Sequence, residues 1–125
     1  MPPAISLGAV SIDCPDPLAL SAFYRDVTGW TVAFESDTFV ALSGPSVWLT
    51  LQKVDDYRSP TWPAPDVPKQ LHLDFAVSDL DAAEAGVLAA GATRADEQPN
   101  PGVWRVYLDP VGHPFCLTTL IPDPA

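Results

Sequence analysis

His72 and Asp74 stand two residues apart in the apolar run LHLDFAV, which extends from Leu71 to Val77. Side chains two residues apart in a β-strand lie on the same face, so this imidazole and this carboxylate are expected to be neighbours. A neutral imidazole near pH 7 can transfer protons, and Asp74 would orient the ring or stabilise its charge. His72 and Asp74 are therefore candidate catalytic or ligand-binding residues. The alternative is a structural role, with His72 hydrogen-bonded within the fold and Asp74 paired with a nearby Arg or Lys.

The elements that must position this pair occur twice along the chain. A strand at Ile5–Ile12 precedes a helix that is predicted to start with the N-cap Asp16 and to end at Gly29. The strand at Leu71–Val77 precedes a second helix that ends at Gly91, with Ser78 and Asp81 resembling a capping box. Three further strands follow each helix, at 30–35, 38–43 and 47–54 and then at 92–96, 103–109 and 115–121.

The repeat defines the expected fold and its boundaries. The two aspartates at the helix starts, Asp16 and Asp79, are half the chain apart (79 − 16 = 63), which indicates an internal duplication. The pattern predicts an α+β fold in which helices cover one face of a mostly antiparallel sheet. We expect a single domain over 1–125, with a first module at about 4–54, a proline-rich linker at 55–69 and a second module at about 70–122.

Composition and charge exclude several classes of partner. The chain has 6 Lys and Arg against 16 Asp and Glu, a net charge of −10, so nucleic acid and anionic membrane surfaces are not expected partners. The sequence shows no signal peptide and no apolar run of about 20 residues, which predicts a cytoplasmic protein. Cys14 and Cys116 lack metal-binding spacing and are expected to be small buried residues without a disulfide.

Three stretches of the chain resemble the vicinal oxygen chelate superfamily, which includes glyoxalases, bleomycin-resistance proteins and extradiol dioxygenases. They are FYRDVTGW in the first half, and LHLDFAVSDLDAAEAGVLAAGA and YLDPVGHPFCL in the second. The resemblance implies a glyoxalase-like domain in which two tandem βαβββ modules form a cup-shaped mixed sheet with the helices on its outer face. The resemblance covers nearly the whole chain and predicts the fold, but not one activity, because this fold hosts several chemistries.

The resemblance also implies four metal-ligand positions, on the first and last strand of each module. They fall on Ala9, Gln52, His72 and Cys116. Ala9 has no donor atom, Gln52 offers a weak neutral donor and Cys116 would have to bind as a thiolate, so only His72 is a good ligand. We therefore expect no metal site of the usual kind and no cofactor. The alternative is a divalent metal ion bound by His72 with Asp74 beside it, or with ligands from a second chain.

Aromatic residues and strand alternation predict an organic-ligand pocket in place of the metal site. The predicted ligand-binding residues on the inner face are Trp48, Thr50, Gln52, His72, Asp74 and Cys116. Trp62, in the proline-rich loop, would cover the pocket mouth or seal a subunit interface, whereas Trp30 and Trp104 are expected in the core. His113 and Asp109 are interpreted as turn residues of DPVGHP.

These observations leave two main hypotheses for function. The first is a small-molecule-binding protein without the usual metal-ligand set, which sequesters a cationic or aromatic compound in an acidic, aromatic pocket. The second is an enzyme, either a metal-dependent lyase or dioxygenase or a metal-free isomerase or hydratase that uses His72 and Asp74 for proton transfer. A partner-binding domain without a pocket is a third reading. Edge strands left by two half-sheets predict a homodimer.

Overall fold

The computed structural model describes residues 4–122, which form two compact units. One unit ends at Tyr57 and the other begins at Arg58. The first unit contains β1 (Ala9–Cys14), α1 (Pro17–Thr28), β2 (Thr31–Glu35), β3 (Phe39–Ser43) and β4 (Trp48–Lys53). The second contains β5 (Leu73–Ala76), α2 (Leu80–Ala90), β6 (Thr93–Arg94), β7 (Trp104–Leu108) and β8 (Pro114–Thr118).

Each unit contains one four-stranded mixed sheet, and the two sheets have the same topology. The strand order is β1-β4-β3-β2 in the first and β5-β8-β7-β6 in the second. In both, the first strand pairs in parallel with the last, and the remaining pairs are antiparallel. The α+β class and the two tandem βαβββ modules are thereby confirmed. That the two modules make one domain and one cup stays a prediction.

Both helices begin at an aspartate because its side chain accepts a backbone hydrogen bond that the first helical turn leaves without a partner. The Asp16 carboxylate accepts from the backbone N–H of Ala19 at 3.3 Å, and the Asp79 carboxylate accepts from that of Ala82 at 3.1 Å. Asp79 is thus the cap of α2, in place of the Ser78 and Asp81 capping box that the sequence indicates. Gly29 ends α1 at a φ of 73°, a left-handed conformation that glycine adopts without strain.

Several strand boundaries differ from the sequence-based prediction. β1 begins four residues later than predicted and continues to Cys14, and β6 contains only Thr93 and Arg94. β5 begins at Leu73, so His72 lies one residue before the strand. β8 begins at Pro114 and ends at Thr118, short of the predicted Ile121. Exposed apolar residues flank these strands, and apolar pattern alone does not show where the hydrogen-bonded ladder stops.

One face of the second sheet packs against α2 through aromatic residues. The rings of Phe75 and Phe115 meet edge to face at 5.9 Å, and Phe115 stacks on Tyr107 at 5.5 Å. The Tyr107 hydroxyl donates to the Glu84 carboxylate of α2 at 2.8 Å, and burial together with this carboxylate raises the pKa of Tyr107 to about 12. Arg105 Nη1 lies 3.5 Å from Glu84, so the helix is attached by apolar contact and by charge-assisted hydrogen bonds.

The first sheet packs against α1 through a more apolar contact. α1 lies on β3 and β4, and its buried residues include Leu20, Phe23 and Tyr24. Phe23 and Tyr24 meet edge to face at 4.8 Å. The strands contribute Val40, Leu42 and Leu51, which are fully buried. No helix within residues 4–122 is long and apolar enough to cross a membrane.

Candidate functional site

The second unit contains a cavity of about 390 Å³ on the sheet face opposite α2. Its apolar lining residues are Trp62, Trp104, Val106, Pro114, Leu120 and Ile121. Its polar lining residues are Lys69, His72, Asp74, Cys116 and Thr118. Cavities of this size that combine an apolar wall with a few polar groups are typical of sites for small organic ligands.

Strand alternation explains why these residues share one face. On β8, Phe115 and Leu117 are buried on the opposite side, so Cys116 and Thr118 are left to line the cavity. On β7, Val106 lines the cavity while Tyr107 faces α2.

The ladder places three of these side chains in one row. The Cα atom of Cys116 is the partner of Asp74 on one side and of Val106 on the other. The row therefore runs from the carboxylate through the thiol to an apolar wall.

His72 and Asp74 meet at the polar end of the cavity. His72 Nε2 lies 3.2 Å from Asp74 Oδ2, and each side chain retains about two-fifths of its accessible surface (40% and 42%). The predicted proximity of this imidazole and this carboxylate is present. The pair is reachable from solvent, so a bound molecule could touch it without a change in the strand.

The Cys116 thiol lies beside this pair and is buried. Burial, followed by the negative charge of Asp74 and a hydrogen bond to it, raises the pKa of the Cys116 thiol to about 11. The thiol is therefore protonated near pH 7 and acts as a weak donor toward the carboxylate. Cys14 is also buried, and neither cysteine forms a disulfide, as the sequence indicates.

Two tryptophans form the aromatic wall. Trp62 and Trp104 pack against the buried cluster of Ala95, Val106 and Cys116. Trp104 was expected in the core; it packs against this buried cluster, and it is also half-buried and lines the cavity. Its position on β7 has the same face as Val106, and this alternation was the signal that the sequence contained. Trp30 is half-buried in the first unit.

The segment 59–68 carries Trp62 and is held by its own hydrogen bonds; we call it the Trp62 loop. The Thr61 backbone N–H donates to the Val67 carbonyl at 2.7 Å, and the Thr61 hydroxyl donates to the Ala64 carbonyl at 2.6 Å. At its start, the Ser59 hydroxyl donates to the Val111 carbonyl at 2.7 Å. The peptide bond between Trp62 and Pro63 is cis. The proline-rich segment, predicted as a linker or an extended loop, thus contains an ordered loop that carries an indole of the cavity wall.

The loop is attached to the turn between β7 and β8. The buried Asp109 carboxylate accepts from the backbone N–H groups of Val111 and His113, both at 3.0 Å. The interpretation of Asp109 as a turn residue is confirmed, and His113 lies in the same turn. Gly112 has a φ of 96°, and a Cβ atom there would lie 2.9 Å from Ser59 Cβ. The turn therefore requires glycine both for its backbone and for the close approach of the loop.

The remaining predicted ligand-binding residues, Trp48, Thr50 and Gln52, lie on β4 of the first unit. Trp48 is 43% exposed, Thr50 is buried and Gln52 is exposed. Their place in one pocket with His72, Asp74 and Cys116 stays a prediction. The sequence did not single out Lys69, Val106, Pro114, Leu120 or Ile121 as lining residues, since nothing in their types distinguishes them from surface or core residues.

The donor atoms near the cavity differ from the four-position metal set that the resemblance implies. Ala9, on β1, has no donor atom, so that set is incomplete. In the described part of the chain, however, one group of potential metal ligands is found, formed by His72, Asp74 and Cys116, whose donor atoms all lie within 4.8 Å of one another. An imidazole, a carboxylate and a thiol together fit a divalent transition-metal ion.

The whole βαβββ repeat matches a known family. Residues 9–118 match the model of the glyoxalase-like domain, so the chain belongs to that family. The fold and the sequence stretches together confirm the resemblance to the vicinal oxygen chelate superfamily. No curated protein matches the chain.

Solved structures show the same fold at low sequence identity. A glyoxalase/bleomycin resistance protein/dioxygenase family enzyme from Burkholderia phytofirmans PsJN is 21% identical, with a TM-score of 0.74 over 94% of this chain and 100% of that one. A lactoylglutathione lyase from Agrobacterium tumefaciens is 21% identical, with a TM-score of 0.64 over 94% and 95%. The fosfomycin resistance protein FosX from Mesorhizobium loti is 15% identical, with a TM-score of 0.67 over 97% and 94%.

Proposed function

We propose that this chain binds a small organic molecule in the cavity of its second unit, without the usual four metal ligands of its relatives. The observation that carries this proposal is the cavity itself, which has about 390 Å³ and combines two indole walls with a polar end at His72 and Asp74. An apolar wall supplies binding free energy through burial, and a few placed polar groups orient the ligand.

A cationic aromatic compound is the ligand class that these groups favour. Trp62 and Trp104 offer π-faces, and aromatic faces attract cations as well as other rings. The Asp74 carboxylate supplies a negative charge at the polar end, and the net charge of −10 attracts a cation from a distance. Lys69 is the opposing charge in the lining, so the cationic group of the ligand should sit at the Asp74 end.

Trp48, Thr50 and Gln52 are proposed as further contacts to the same molecule. Trp48 exposes much of its indole, as a ligand-facing residue would in the free protein. This part of the proposal rests on the strand pattern alone and is tested separately by Trp48→Phe below.

The test is a titration of tryptophan fluorescence with 1-methylquinolinium and with quinoline, which share one shape and differ in charge at pH 7.5. We expect saturable quenching by both, with tighter binding of the cation. Asp74→Asn should weaken binding of the cation about fivefold, the effect of a charge interaction of about 1 kcal/mol, and leave quinoline unchanged. Trp62→Phe should remove most of the quenching.

The control is Trp30→Phe, which changes an indole in the first unit that has no predicted part in the site. Its quenching should match that of the unmodified protein. Reduced quenching in Trp48→Phe would extend the site to the first unit. Linear quenching without saturation, or equal effects of Trp30→Phe and Trp62→Phe, would contradict a ligand site in the cavity.

A second function is favoured by the distance of 3.2 Å between His72 Nε2 and Asp74 Oδ2. This pair has the arrangement of a base and its orienting carboxylate, which suits a metal-free isomerase or hydratase. Exchange of α-protons of dihydroxyacetone and related 2-hydroxy ketones with deuterium oxide, followed by NMR, tests it. Exchange above the buffer rate that is lost in His72→Gln would support the enzyme, and exchange lost on adding EDTA would indicate a metal-dependent enzyme.

We also propose that the chain acts in the cytoplasm and forms a homodimer. Support for the dimer comes from β2, an edge strand of its sheet that exposes 55% of Phe34. Sedimentation equilibrium distinguishes the chain mass of 13.4 kDa from twice that value.

A further inference from the structure

We propose that His72, Asp74 and Cys116 form a binding site for one thiophilic divalent cation of the Zn²⁺ class. All three ligands come from the second unit, whereas the resemblance distributes four positions over both modules and does not include Asp74. This inference goes beyond the proposed function and does not depend on it, because the cation would bind without an organic ligand.

The spacing of the donor atoms fits such an ion. Two ligands about 2.0 Å from a tetrahedral Zn²⁺ lie roughly 3.3 Å apart, and His72 Nε2 and Asp74 Oδ2 are 3.2 Å apart. The sulfur lies within 4.8 Å of one imidazole nitrogen and of one carboxylate oxygen. A sulfur ligand needs about 3.6 Å to its neighbours, so a side-chain rotation that moves Sγ by roughly 1 Å completes the set.

The backbone holds two of these ligands on neighbouring strands, and the third, His72, lies one residue before β5. The Cα atoms of Asp74 and Cys116 are partners in the parallel pair of β5 and β8. His72 contacts Asp74 and lines the same cavity. Ligands on paired strands keep their spacing better than ligands on mobile loops. The cation would displace no described backbone hydrogen bond.

The donor chemistry selects the class of ion. Imidazole, carboxylate and thiolate suit Zn²⁺ and Co²⁺, whereas Mg²⁺ and Ca²⁺ prefer oxygen ligands alone. On binding, the S–H bond breaks, the proton goes to solvent and a sulfur–metal bond forms. One carboxylate and one thiolate would then balance the two positive charges, and a fourth ligand, such as water, would complete a tetrahedral set.

The alternative is that His72 and Asp74 form only an ion pair beside a thiol. The two alternatives differ in one observable, which is the bond between sulfur and the metal. Co²⁺ reports this bond directly, because a thiolate bound to tetrahedral Co²⁺ gives a charge-transfer band in the near ultraviolet together with intense visible bands.

The experiment is a titration of the full-length, chelator-treated protein with CoCl₂, followed by ZnCl₂. We expect one Co²⁺ per chain, a charge-transfer band, and loss of the band when Zn²⁺ displaces Co²⁺. The band should vanish in Cys116→Ser and persist in Cys14→Ser, which changes the other buried cysteine. Asp74→Asn should weaken Co²⁺ binding by more than about tenfold.

A second measurement on the unmodified protein removes any dependence on how the variants fold. Stoichiometric ZnCl₂ should slow alkylation of Cys116 by iodoacetamide at least tenfold, as measured by peptide mapping, while MgCl₂ has no effect. The absence of a charge-transfer band at millimolar Co²⁺, its persistence in Cys116→Ser, or alkylation of Cys116 unaffected by Zn²⁺ would each overturn the proposal. None of these outcomes bears on the quinolinium titration, which is made in EDTA.

Discussion

The two units of this chain have one topology but different side chains at corresponding positions. The residues 63 positions before His72 and Asp74 are Ala9 and Ser11 on β1. Cys116 pairs with Asp74 in the second sheet, and its counterpart Thr50 pairs with Ser11 in the first. The first unit therefore carries a methyl group and two hydroxyls where the second carries an imidazole, a carboxylate and a thiol.

The comparison shows that topology and chemistry are specified by separate residues. The caps Asp16 and Asp79 and the alternating apolar residues fix where helices and strands form in both units. The compared chemical groups in the second unit lie on the sheet face away from the helix, apart from the contact between helix and sheet. One unit can thus gain or lose a site while the strand order stays the same.

The largest expected effect is a loss of stability when the core of the second unit is disrupted, with a substitution in the first unit as the reference. Phe115→Ala removes a fully buried ring that contacts Phe75 and Tyr107, and should lower the free energy of unfolding by about 3–5 kcal/mol. Ile5→Ala, at an exposed position of the first unit outside its strands, should cost less than about 1 kcal/mol. Urea unfolding followed by circular dichroism measures both, and equal losses would contradict the assigned core.

A smaller difference in stability is expected between alanine substitutions at two glycines, one in each unit, that both have a positive φ. Gly112→Ala should destabilise by about 1–3 kcal/mol, because it adds a clash with Ser59 to the backbone cost. In Gly29→Ala the added Cβ lies in open space, so only the backbone conformation is unfavourable. This variant should be destabilised by about 1 kcal/mol. Thermal unfolding of the two variants compares them. A smaller loss of stability for Gly112→Ala than for Gly29→Ala would show that Ser59 of the Trp62 loop does not closely approach this turn.

The smallest expected effect is a pH dependence of stability caused by Cys116. Its pKa is raised from 9.0 to about 11 in the folded chain, so between these values the unfolded chain releases a proton that the folded chain retains. Stability from this thiol is therefore complete below pH 9 and is lost as the pH rises toward 11. The loss should be at most about 1 kcal/mol between pH 9 and 10.

Urea unfolding in EDTA at pH 8, 9 and 10 measures this loss. Cys116→Ala should show a shallower decline than the unmodified chain, while the contribution of Tyr107, whose pKa is raised to about 12, remains in both. Identical slopes would mean that the thiol titrates normally and is not buried beside Asp74.

Many of the helix and strand positions could be predicted from the sequence, because they are indicated by residues close together in the chain. The start of α1 is marked by the capping carboxylate of Asp16, as expected. The ends of the two helices are marked by Gly29 and Gly91, also as expected. The contact of His72 with Asp74 was expected from the period of two along a strand, and it is present although β5 begins only at Leu73.

The rest of the site depends on which distant segments meet, and a single sequence does not record that. Trp62 reaches the cavity because Ser59 hydrogen-bonds to the Val111 carbonyl, 52 residues further along the chain. Trp104 was expected in the core, and the sequence does not show that this residue also lines a cavity. Strand ends at Ala9 and Thr118 were missed since apolar residues continue beyond the ladder.

The hydrogen bonds of the Trp62 loop have a consequence for how such a protein diversifies. Thr61 hydrogen-bonds to Ala64 and Val67, so the four residues between Trp62 and Val67 are enclosed by hydrogen bonds within the loop. They are exposed, and their length and side chains can vary without cost to the ladder. Duplicated copies of this gene could therefore acquire new ligand preferences by changing this loop alone, with folding left intact.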